Sequence, residues 1–156
     1  MIERQMVTKA FGALLATVTG KPVGYGKVPI NPATGRPYPP PYTLLYSLDH
    51  SSSDGTLADT GSAAISTYQA TCVSGPAPGQ ADSAGTVEQA EWLADKARTG
   101  VMARPADGTG YTNPITIPGI NCFHREASDA GATPDENDAI ITSVIRFRLS
   151  LQESGA

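Results

Sequence analysis

Thr86–Arg104, TVEQAEWLADKARTGVMAR, is the stretch on which the reading of the whole chain turns. Thr86 offers a hydroxyl to the first turn of a helix, and Gln89 three residues later completes a capping-box pattern. Val87, Ala90, Leu93, Ala94, Ala97 and Val101 fall in a stripe about 120° wide at roughly 100° per residue, the spacing of a helix buried along one side. Gly100 weakens the last turn and Pro105 ends the element. The stripe excludes Trp92, the only tryptophan. Trp92 projects from the opposite face among Glu88, Asp95, Lys96 and Thr99. A ring of that size calls for cover, either from one of the protein's own long loops or from a neighbouring subunit, since tryptophan is enriched where exposed patches become interfaces.

Around this helix, 156 residues suit a single domain, 1–156, that buries a core without staples. Cys72 and Cys122 are the only cysteines, and they read as reduced thiols in a cytoplasmic protein. No apolar run is long enough for a membrane span, and no secretory segment opens the chain. The net charge of -4, with Lys and Arg scattered, argues against a nucleic-acid or anionic-membrane partner, either of which needs a concentrated basic face. Sixteen glycines and 13 prolines gather between the periodic segments, so a compact core with long loops is expected.

N-terminal to the central helix, Val7, Ala10, Phe11, Leu14, Leu15 and Val18 predict a helix over residues 2–18, stopped by Gly20. Val23–Val28 reads as a short strand disturbed by Gly24 and Gly26, too weak in glycine spacing for a dinucleotide loop. Six prolines between Pro29 and Pro41 predict an extended, polyproline-like arm. Tyr42–Leu48 alternates as a strand, with Tyr42, Leu44, Tyr46 and Leu48 on one face and Thr43, Leu45 and Ser47 on the other. Asp49–Ser62 reads as a loop, and Ala64–Val73 as a strand.

C-terminal to the helix, Ile115–Arg125 reads as a strand fragmented by Pro118 and Gly119. Glu126–Asp138 reads as a solvated acidic loop, with Asp129, Asp135, Glu136 and Asp138 as a contact for a basic partner. It lacks the glycine a calcium loop requires after Asn137. Ala139–Gln152 is the longest strand. Its Ile141, Ile145, Phe147, Leu149 and Leu151 point to the core, while Arg146, Arg148, Ser150 and Gln152 point the other way, toward solvent, a lumen or a partner.

Chemical signatures are sparse. Asp59, Thr60, Gly61 and Ser62 match the active-site string of aspartic proteases, in which two such loops share a proton between carboxylates. A retroviral-type homodimer using Asp59 is therefore an alternative, opposed by the missing aliphatic-glycine turn downstream and by the long central helix. Cys122 and His124, with only His50 elsewhere, do not make a metal site, and no cofactor is expected.

Summed, the elements predict an α+β fold: a mostly antiparallel sheet with two helices packed on one face, and long loops. Three strings, Pro41–Leu48 (PYTLLYSL), Tyr68–Val73 (YQATCV) and Glu88–Asp95 (EQAEWLAD), resemble in order and spacing the tail terminator proteins of long-tailed phages that infect actinobacteria. That resemblance covers about Gly24 to Arg98. It implies a structural virion protein without enzymatic activity, a homohexameric ring that caps the head-proximal end of the tail tube and offers a docking surface to the head. The partners implied are other copies of itself, the major tail tube protein and the head-tail connector protein, with DNA only in transit through the lumen and no membrane. The place implied is the tail-neck region of the virion, after assembly in the host cytoplasm. In such a ring Trp92, Glu88, Asp95 and Lys96 are expected at a subunit interface, and Arg146, Arg148 and Gln152 toward the lumen. A neck or connector ring protein is the nearest alternative.

Overall fold

Alternation of buried and exposed side chains along two of the four long strands, matched to two amphipathic helices, builds one layer of helix on one layer of sheet. The computed structural model describes residues 1–54, 61–79, 84–134 and 140–154. Along the chain run α1 (Arg4–Thr19), β1 (Val23–Tyr25), β2 (Tyr42–Ser53), β3 (Ala63–Ser74), α2 (Val87–Met102), β4 (Ile120–Pro134) and β5 (Ile141–Glu153). The sheet order is β1-β2-β3-β5-β4. Among the described residues only the β1–β2 pair is parallel. Because β3 and β4 both run antiparallel to β5, α2 carries the chain past a vacant position that the last strand fills.

The expected α+β architecture is the one observed. Val7, Phe11, Leu14 and Leu15 of α1 and Leu93, Ala97 and Val101 of α2 form one cluster with Tyr68, Ala70 and Cys72 of β3 and Ile145, Phe147, Leu149 and Leu151 of β5. Phe11 sits centrally, its ring centroid 5.1 Å from that of Tyr68 and 5.3 Å from that of Phe147. The Tyr68 hydroxyl escapes burial without a partner by meeting Thr8 Oγ1 at 2.9 Å. His50 ties the N-terminus to the sheet: its Nε2 lies 3.0 Å from the Ile2 carbonyl oxygen, so Nε2 is the donor, and Nδ1 accepts from the Ser66 hydroxyl at 2.6 Å.

Both helix ends follow the sequence. The C-cap of α1 is Gly20 at φ 67°, whose N–H donates to the Ala16 carbonyl, and the Thr86 hydroxyl accepts from the Gln89 N–H at 3.1 Å. The capping box closes through a third residue. Gln89 Oε1 accepts from Ser74 Oγ at 2.6 Å, and that oxygen accepts the Thr86 N–H at 3.0 Å. Gly100 does more than weaken a turn, because the Val18 side chain occupies the place where its Cβ would stand, which lets α1 and α2 close on each other.

Several expectations need correction. The stretch Asp49–Ser62 is not all loop: after a bulge between Ser47 and Asp49, β2 continues to Ser53, pairing Ser51 with Ile65 and Ser53 with Ala63. Glu126–Asp138 is not a loop up to Pro134. β4 runs through it, with bulges at Cys122/His124 and Asp129/Gly131. In both places backbone pairing holds the strand while exposed polar side chains leave no hydrophobic alternation to read. The strand expected over Ile115–Arg125 begins only at Ile120, after a turn closed by the Ile120 N–H on the Ile117 carbonyl, with Gly119 at φ 71°. Pro29–Pro41 is not an extended arm. The Asn31 side chain caps its own turn through the Ala33 N–H, and Tyr38 N–H returns to the Pro29 carbonyl at 2.9 Å. Within β2, Thr43 and Leu45 face the helices, opposite Cys72 and Ala70 of β3, so Leu44 and Tyr46 lie on the open face.

Candidate assembly surfaces

Trp92 stands on the outer face of α2, as its place outside the apolar stripe requires, and is 42% exposed. One turn on, the Lys96 ammonium lies 4.8 Å from its ring centroid, a cation–π contact. A groove along Trp92, Asp95, Lys96 and Thr99 is closed on its far side by Thr17 and Val18 of α1. Glu88 and Asp95 are exposed on the same helix face. The four residues expected at an interface are thus contiguous.

The open face of the sheet carries the second predicted set. Arg146, Arg148 and Gln152 alternate with the buried Ile145, Phe147, Leu149 and Leu151 along β5, all three exposed. Arg148 lies between Thr67 and Glu126, and its Nη1 donates to Glu126 Oε2 at 3.1 Å. His124 Nε2 is 3.7 Å from the other oxygen of the same carboxylate. Arg146, flanked by Gln69 and Ser128, makes no ion pair among the described residues.

The third set is divided. Asp129 belongs to β4 instead of a loop, and its carboxylate pairs with the Arg98 guanidinium of α2, tying the edge strand to the helix layer. Asp135, Glu136 and Asp138 lie outside the described residues, as does Asp59 of the protease-like string. Among the described residues no three His, Cys, Asp or Glu side chains come together as a metal site would require. No helix there is long and apolar enough to cross a membrane. Cys72 and Cys122 are both free thiols, separated by β5.

Two features escaped the sequence reading. A cavity of about 760 Å³ lies between the end of α1, β1 and the proline-rich turn, with Lys21, Tyr25, Lys27, Ile30 and Tyr38 on its walls. The other is built around Tyr111, in the connection from α2 to β4. The Tyr111 hydroxyl accepts the Arg125 N–H at 2.8 Å, and the guanidinium carbons of Arg125 and Arg104 lie 4.3 and 5.0 Å from its ring centroid. Nearby Asp107 is taken up by its own turn, where the Thr109 N–H and hydroxyl hold its carboxyl below its ordinary pKa. No spacing signal marks this cluster, because Arg104, Tyr111 and Arg125 meet only when the connection folds back on the edge strand.

Comparison with models of known protein families finds none that matches the chain, and comparison with curated proteins finds none either.

Proposed function

We propose that this protein is a structural virion component, a tail terminator that closes as a ring on the head-proximal end of a phage tail tube, halts its growth and presents a docking surface to the head. Three sequence strings support the reading, and they fall on neighbouring elements: PYTLLYSL on β2, YQATCV on β3 and EQAEWLAD on α2. The observation that carries it is the presence of two unlike surfaces on one subunit. A head-to-tail ring requires each subunit to offer two different patches to its neighbours. The outer face of α2 joins the half-exposed Trp92 and its Lys96 to three carboxylates, Glu88, Glu91 and Asp95, whereas the cavity beside β1 sets Lys21 and Lys27 around Tyr25 and Ile30. Aromatic surface and opposite charge are thus available on both sides of such a joint. The open sheet face, with Arg146 and Arg148, is left for the lumen.

Native mass measurement with negative-stain imaging tests the reading. A hexameric ring, alone or formed on purified tail tubes, is the expected result. A chain that neither self-associates nor binds tubes overturns it. Co-purification with the connector in the absence of tube protein favours a neck ring instead. Exchanging both Arg146 and Arg148 for glutamate is expected to leave the ring intact and lower infectivity; unchanged infectivity removes the lumen role.

A further inference from the structure

Charge is divided unevenly along this chain. Residues 4–48 hold Arg4, Lys9, Lys21, Lys27 and Arg36 and no aspartate or glutamate, so all 15 carboxylates stand on the rest of the sequence. The cavity beside β1 is lined wholly from that basic run. Its wall is apolar yet open: Tyr25 and Ile30 are each 50% exposed and Val28 37%. Lys21 and Lys27 stand beside them and form no ion pair among the described residues.

The recess is also held in shape. The Tyr25 ring occupies the place where a Cβ on Gly12 would stand, so it rests directly on α1, and Gly24 packs against the Lys27 carbonyl with no room for a side chain. The Gly26 N–H donates to the Leu45 carbonyl at 3.0 Å, fixing the exit of β1 to the sheet. An apolar recess already ordered before contact loses little freedom when an aromatic side chain enters it.

The outer face of α2 has the matching build. Glu88, four residues before Trp92, and Asp95, three after it, share its face, and Glu91 adjoins them. All three carboxylates are exposed and form no ion pair among the described residues. Lys96, laid on the ring, is the one cation set against them there, so the face stays negative.

We propose that Trp92 of one copy of this chain seats in the cavity beside β1 of a second copy, with Glu88, Glu91 and Asp95 meeting Lys21 and Lys27. The inference rests on the proposed self-assembly and names its contact. The space of about 760 Å³ admits an indole with its flanking carboxylates at the rim, and the joint covers two exposed apolar surfaces with each other while pairing opposite charges.

Trp92 is the only tryptophan, so intrinsic fluorescence reports this ring alone. Its emission is expected to shift to the blue as the native mass rises above that of one chain. A carbodiimide joins a carboxylate to an ammonium group only where the two touch. Applied to an equal mixture of isotopically light and heavy chains, in solution and on purified tail tubes, it is expected to give mixed-isotope peptides that link Glu88, Glu91 or Asp95 to Lys21 or Lys27. Lys21→Glu with Lys27→Glu is expected to weaken association about tenfold, and mixing that variant with Glu88→Lys/Asp95→Lys is expected to restore it, since every joint between the two again pairs opposite charges. Assembly with an unshifted emission, or with mixed-isotope links only elsewhere, overturns the contact and leaves the ring reading standing. A dimer carrying the expected links keeps the contact and removes the ring. Chains that neither assemble nor link, alone or on tubes, remove both.

Discussion

Cys72 and Cys122 share a side chain but not a chemistry. Burial between β2 and β5 pushes the Cys72 thiol up to about 11, while Cys122, on the edge strand, is raised by burial but drawn back by the Arg125 charge. The thiolate is the reacting form, so at pH 8 Cys72 stays almost wholly protonated. A disulfide reagent at pH 8 is expected to label Cys122 first and to reach Cys72 only in denaturant, as mass spectrometry would show; fast labelling of Cys72 in the native protein contradicts its placement. The same shift has a sign for stability. In the folded state Cys72 keeps a proton that the unfolded chain releases, so its contribution is complete below about pH 9 and declines as pH rises toward about 11. Denaturant midpoints measured across that window should fall for the native chain and fall less for Cys72→Ala.

At the level of elements, α2 is anchored by hydrogen bonds at its start and by close packing near its end. Thr86→Ala removes the cap on the Gln89 N–H and is expected to cost about 1 kcal/mol in urea unfolding. Ser74→Ala should cost a comparable amount, about 1 kcal/mol, although it lies outside the helix, because its hydroxyl links Gln89 to Thr86. The double variant is expected to lose less than the sum, since both belong to one network. Gly100→Ala gives a sharper result. Helix propensity alone predicts a gain of about 1 kcal/mol. The place of the new methyl group is already held by Val18, so α1 must move and the net effect is expected to be a loss of about 1–3 kcal/mol. A stabilised Gly100→Ala would show that the helices are not in contact there. The helices themselves were legible to within about two residues, since an apolar stripe and a cap are local properties. The ends of β2 and β4 were not, since exposed serines and acids follow the backbone pairing without recording it.

For the whole molecule, the arrangement of surfaces matters more than any single bond. Trp92→Ala removes a half-exposed ring and its cation–π partner, so monomer stability should change by less than about 1 kcal/mol. Under the proposed ring, the native mass of this variant is expected to shift toward the monomer; an unchanged assembly would place the interface elsewhere. The sequence by itself determined both helices, the core face of β5, the outward set Arg146, Arg148 and Gln152, and the exclusion of Trp92 from the core. Each of these depends on periodicity within one element, which side-chain direction makes readable. Only the tertiary structure decided that Leu45 instead of Leu44 meets the helices, that Asp129 is engaged by Arg98, and that Arg104 and Arg125 converge on the Tyr111 ring. Those outcomes depend on strand register and on a connection folding back over an edge, where residues far apart in the chain set one another's surroundings. No local pattern carries that information, because the free energy that fixes register is shared across the whole sheet.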